Sequence, residues 1–174
     1  MSPAVALPAP AVPEFLAPRI EDIRNALRAG RPEEALAAAQ GISHELAESH
    51  GPLHVYALHA LELVAFCAQL AEHPALATEV SVYTASAWQR VLDAKHRHVR
   101  QQARNGVASW LTVTNASDVV RTATDVLALL QSVYGEDHPS IALVERRLNA
   151  ITGADQRAAA DALRASGPAL SIRP

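Results

Sequence analysis

Breaks between helices recur at one fixed interval along this chain, and that interval limits the fold more than any other feature. Short turns end just before Pro32, Pro74 and Ala116, 42 residues apart each time. A second series of breaks is closed by His54, His96 and His138, again 42 residues apart. Small or apolar residues keep the register, as Ala35, Ala77 and Val119, and as Val64, Gly106 and Leu148. A fixed period of this length is the mark of stacked helical hairpins. Each hairpin has an apolar face it cannot bury alone, so neighbours stack into a continuous core and the surface curves. The expected fold is all-α, an α-solenoid of stacked antiparallel helical hairpins with about eight helices.

The local pattern supports this. Residues 1–17 hold prolines at Pro3, Pro8, Pro10 and Pro13, whose fixed φ and missing N–H forbid a continuous helix. They read as a disordered arm, or as a clamp in which Val12, Phe15 and Leu16 pack on the first helix. From Pro18, Ile20, Ile23 and Leu27 share a helical face until Ala29-Gly30. Pro32, Glu33 and Glu34 suit the first turn of a second helix, which ends at Gly51-Pro52. Further helices are expected over about 52–71, from Pro74 to about Lys95, over about 97–113, and from Val119 to Tyr134. Another should run from Ser140 to Ile151, with Gly153 setting off a last short helix that ends near Ser166. Residues 18–166 form one expected domain, and 167–174 a frayed tail.

Composition agrees and narrows the function classes. About a fifth of the residues are alanine, aromatic residues make up only 4%, and β-branched clusters are few, which favours helix. The net charge of -3 argues against a nucleic-acid footprint, which needs a strongly basic face. No apolar run reaches membrane-spanning length, and no secretory leader opens the chain, so a cytoplasmic protein is expected. One cysteine, Cys67 in Leu63-Val64-Ala65-Phe66-Cys67, excludes an intrachain disulfide and reads as a small core side chain. Arginine supplies all the basic residues but Lys95, a bias expected of a GC-rich bacterial genome.

The residues also carry a resemblance. Tyr134-Gly135-Glu136-Asp137-His138-Pro139 resembles the Gly-x-x-His-Pro linker before the first helix of the 42-residue, kinesin-light-chain-like tetratricopeptide repeat. Gly30-Arg31-Pro32-Glu33-Glu34-Ala35-Leu36 is similar to the turn that opens the second helix of such a repeat. His50-Gly51-Pro52-Leu53-His54-Val55 is a looser copy of the linker, and Asp93-Ala94-Lys95-His96-Arg97-His98 keeps only the histidine. The resemblance spans about 18–165 and implies a right-handed superhelix whose concave groove, lined by first helices, holds a peptide or partner segment.

That register implies the binding residues. Positions five, eight and nine after the three linker histidines are His59, Glu62 and Leu63, then Gln101, Arg104 and Asn105, then Leu143, Arg146 and Arg147. In the family the polar members of such sets face the groove. Arg104, Arg146 and Arg147 would make its C-terminal part basic and suited to acidic segments, since guanidiniums bind carboxylates through paired hydrogen bonds. The bland alternative is a solvated helix face.

Little suggests catalysis. The sequence has no Gly-x-Ser-x-Gly, no phosphate-binding glycine loop, no Cys-x-x-Cys and no His-Glu-x-x-His. His59 and Glu62 stand three apart on one helix face, yet a metal site would need a further ligand from another helix. His54 and His138 read as turn residues that bond unpaired helix-end groups. The expected role is a protein- or peptide-binding adaptor or regulatory accessory module, not an enzyme, with no cofactor and no metal. Its partner would be another protein or peptide, and self-association as a homodimer is one way to cover the ends of so short an array. Two alternatives stand: a small helical enzyme or metal protein using His59 and Glu62, and a sensor of a small molecule or signalling peptide.

Overall fold

A computed structural model describes residues 13–165, with side chains to Ala154 and at Arg157. The described chain is helical apart from short turns, with no strand among the described residues. It forms two compact units, one ending at His73 and the other beginning at Pro74. The fold is all-α and of helical-repeat type, and no described helix is long and apolar enough to cross a membrane.

In the first unit a 3-10 turn, Glu14–Leu16, leads into α1 (Ala17–Arg28), α2 (Pro32–His50) and α3 (Val55–Leu70). Pro18 and Pro32 sit in first turns, where a missing N–H breaks no helical bond. Leu16 is buried while Phe15 is 56% exposed, so only one of these two clamp candidates packs inward. Val12 and the rest of 1–12 lie outside the described residues. Helix α2 packs against both α1 and α3, burying Ile23, Leu36, Ile42, Leu46, Leu58 and Val64. Helices that pack against each other across turns this short run antiparallel.

The second unit contains α4 (Pro74–Val91), α5 (Arg97–Thr112), α6 (Ala116–Tyr134) and α7 (Pro139–Ala165). Helix α4 packs on α5 and α6, and α6 packs on α5 and α7. Trp88 and Trp110 are wholly buried, and the Trp110 indole N–H donates to the Val119 carbonyl at 3.3 Å. Truncating either ring to alanine would cost about 3–5 kcal/mol. Gly106 brings α5 close to α4: a Cβ there would stand 3.5 Å from Val82 and 3.6 Å from Ser81.

The 42-residue interval is written into backbone and burial alike. Leu46, Trp88 and Leu130 are each at most 2% exposed, and Ile42, Thr84 and Val126 at most 1%. Ala57, Val99 and Ile141 repeat the pattern on the facing helices. The turn after α1 puts Gly30 at φ +68°, with Arg31 N–H donating to the Ala26 carbonyl at 2.9 Å. The turn after α3 puts Glu72 at φ +59°, with His73 N–H donating to the Ala68 carbonyl at 2.9 Å. Both are left-handed helix stops that satisfy end carbonyls. The third turn departs from them: Val113 is extended, and Asn115 caps α6 by accepting the Asp118 N–H at 3.1 Å.

One expectation fails. Gly153 does not separate two helices; α7 runs unbroken for 27 residues from Pro139 to Ala165. A lone glycine costs only about 1 kcal/mol against alanine in a helix. The residues after it, Ala154 to Ala165, are mostly strong helix formers and include no proline. The described residues therefore hold seven α-helices and the short 3-10 turn where the sequence suggests about eight. The tail at 167–174 lies outside the described residues.

Candidate functional site

The three linker histidines occupy one setting. His54 caps α3 by accepting the Tyr56 N–H on Nδ1 at 3.3 Å. His96 caps α5 in the same way, accepting the His98 N–H at 3.2 Å. The His138 Nδ1 accepts the Ser140 N–H at 3.3 Å at the start of α7. An aromatic ring four residues back packs on two of them: His50 lies 4.9 Å from His54, and Tyr134 stacks on His138 at 4.1 Å. These side chains meet donors that a helix start leaves open.

The remaining histidines also have neighbours. His73 bonds Glu33 at 2.8 Å, His44 lies 3.3 Å from Glu48, and the His50 ring meets Ser49 Oγ at 2.7 Å. The His98 ring stands edge-on to Trp88, with centroids 4.7 Å apart. His59 and Glu62 share a part-buried hydrogen bond of 3.2 Å on α3, with Leu63 beside them. Cys67 is fully buried, and burial pushes its thiol up, away from the reactive thiolate.

In the second unit the sequence-derived residues separate by role. On α5, Gln101 donates to Asn105 at 3.0 Å and Asn105 donates to the buried Gln102 at 3.3 Å, forming a short amide chain at the surface. Arg104 is exposed beside them and makes no ion pair among the described residues. On α7, Leu143 is exposed, and Arg146 is exposed with its Nε–H on the Ala142 carbonyl at 3.2 Å. Arg147 is turned away to other work. Its guanidinium donates to the carbonyls of Trp110 and Val113 at the end of α5 and lies over the Trp110 ring, 4.7 Å from the centroid. A cation there meets the unpaired carbonyls and negative dipole of a helix C-terminus. Arg147 thus fastens α7 to α5, and Arg146, the next residue back and about 100° round the helix, stays at the surface.

Two further arginines belong to this face. Arg97, Arg100 and Arg104 follow the i, i+3, i+7 spacing that lines up along a helix, and α5 contains no acidic residue. All three are exposed, and none makes an ion pair among the described residues; Arg100 lies over the Tyr134 ring at 5.7 Å. The spacing is visible in the sequence, yet counting from His96 by five, eight and nine passes over Arg97 and Arg100. What these residues can do is electrostatic: they present guanidiniums that make no ion pair among the described residues, in reach of water and of a negatively charged surface.

The opposite character appears along α4 and α6. There Arg121 is held by Asp118 at 2.8 Å and by Glu79, hydrogen bonds that keep its guanidinium above the ordinary arginine range. No family model matches the chain, and no curated protein matches it.

Proposed function

We propose that this protein is a binding module with no reaction of its own, a tetratricopeptide-like helical array that serves in the cytoplasm as an adaptor or regulatory accessory subunit. Its partner is another protein or peptide carrying acidic segments. The observation that carries this reading is a set of exposed arginines in the second unit that make no ion pair among the described residues: Arg97, Arg100 and Arg104 along α5 and Arg146 on α7. In the first unit exposed arginines do find a local carboxylate, Arg19 pairing with Glu45 and Arg31 with Glu34. That these four make no ion pair among the described residues favours a role outside the chain, because guanidiniums bind carboxylates in paired, directional fashion. Support also comes from the shared setting of the three linker histidines, which fits the repeat that the sequence resembles.

The test is affinity capture from lysate of the source cells, with captured proteins identified by mass spectrometry, using the wild type and an Arg104→Glu/Arg146→Glu double variant. A specific acidic partner lost by the variant is the expected result. Unchanged capture would place the contact on another surface, and stoichiometric bound transition metal in the purified protein would favour the metal-protein alternative.

A further inference from the structure

Between α4 and α6 lies a cavity of about 480 Å³, on a different helix pair from the basic face. The two helices run side by side and are bridged twice. Glu79 pairs with Arg121 at one end, and Gln89 exchanges hydrogen bonds with Ser132 at the other, at 3.2 and 3.3 Å. Ten residues of α4 separate the bridges, a span of about 15 Å. Between them the facing row contains Ser86 and Ala128, too small to fill the gap, so a slot remains.

The slot has a definite chemistry. Its floor is apolar, from the buried Val82 and Leu129. Its walls carry Tyr83, 53% exposed, and Asp125, an exposed carboxylate with no ion pair among the described residues. The charges along the two helices do not balance: Glu79, Asp118 and Asp125 stand against Arg121 and against Arg90 in the last turn of α4, and because Arg121 is shared by Glu79 and Asp118, Asp125 is left over. An apolar floor accepts an aliphatic stem, an aromatic wall accepts a cation over its face, and an unpaired carboxylate accepts a forked pair of N–H groups.

We infer that this slot takes an arginine side chain from a partner polypeptide. Arginine fits better than lysine because its flat guanidinium can lie against Tyr83 and still present two donors to Asp125. The volume is at the lower end of the ligand-pocket range, enough for one long side chain and too small for a folded element. The inference does not depend on the acidic-partner reading above, since the two involve different faces of the second unit.

The probe is the peptide acetyl-Gly-Arg-Gly-amide, titrated into the ¹⁵N-labelled full chain, with lysine and citrulline peptides of the same length as controls. Saturable amide shifts are expected at Tyr83, Ser86, Asp125 and Ala128, with arginine binding more tightly than lysine and citrulline not at all. Asp125→Asn should weaken binding about tenfold, the loss of one charge-assisted contact. Ala128→Leu should abolish it by filling the slot, while Arg104→Glu/Arg146→Glu leaves it unchanged. Absence of saturable shifts, equal binding of the lysine or citrulline peptide, or undiminished binding by Asp125→Asn would overturn the assignment.

Discussion

Replacing Arg147 by methionine separates the role that the sequence register implies from the one that the structure shows. In the repeat register it is a groove arginine, whereas in the folded chain its guanidinium holds the end of α5. Methionine keeps the length and apolar contact of the stem and removes the charge and the donors. Two hydrogen bonds from a charged donor contribute about 1.5–3 kcal/mol each when buried. Arg147 is only half-buried, so the low end for the pair, about 3 kcal/mol, is discounted for solvent screening to about 2 kcal/mol in total. Contact with the Trp110 face adds about 0.5–1 kcal/mol, offset in part by the entropy of ordering a long side chain. The net expectation is a loss of about 2 kcal/mol, or about 4–8 °C in Tm for a chain of this size. Both tryptophans of the chain, Trp88 and Trp110, lie in the second unit, so urea unfolding followed by their fluorescence reports on that unit. Arg147→Lys should recover about half of the loss, and Arg146→Met should change stability by less than about 0.5 kcal/mol. Wild-type stability in Arg147→Met would refute the anchoring role; lost partner capture at unchanged stability would return Arg147 to the binding face.

Three further expectations follow from the packing. Gly106→Ala should stabilise the second unit by about 0.5–1 kcal/mol, because the added methyl meets Val82 and Ser81 at ordinary contact distance while the unfolded chain loses freedom; a lower urea midpoint would show that α4 and α5 are closer than described. Glu72→Gly should also stabilise, by about 0.5–1 kcal/mol, since φ +59° disfavours any residue with a Cβ, and thermal unfolding would register the change. Cys67 should react with a thiol reagent far more slowly in the native protein than in urea. Because burial raises its folded pKa, the linked stability is level below the unfolded thiol's value of about 8.5 and falls as pH rises through it; rapid native labelling at pH 7 would contradict the burial.

The helix starts were legible because they depend on local signals. Pro32 and Pro74 open helices where proline at a first turn predicts it, and the linker histidines immediately precede the other series of helices. The middle linker looks degenerate in sequence yet keeps the cap. Asp93 takes over part of the turn, accepting the Lys95 N–H on its side chain at 2.7 Å and the His96 N–H on its carbonyl at 2.8 Å. An aspartate turn replaces a glycine turn, which motif comparison does not see. The false break at Gly153 has the reverse cause, a residue that suggests an end without the proline or cap that enforces one. The duty of Arg147 and the slot between α4 and α6 are set by which helices meet, and one-dimensional spacing does not encode that. Exposed Ser86 and Ala128 give no sign in sequence that they leave a gap.

A photo-crosslinking residue placed at Gln101, on the exposed face of α5, tests the binding account most directly when activated in living source cells. The account predicts a discrete covalent adduct with one other polypeptide, abolished when Arg104 and Arg146 are both changed to glutamate. A chain that yields no adduct from Gln101, or the same adduct after both charges are reversed, would contradict it.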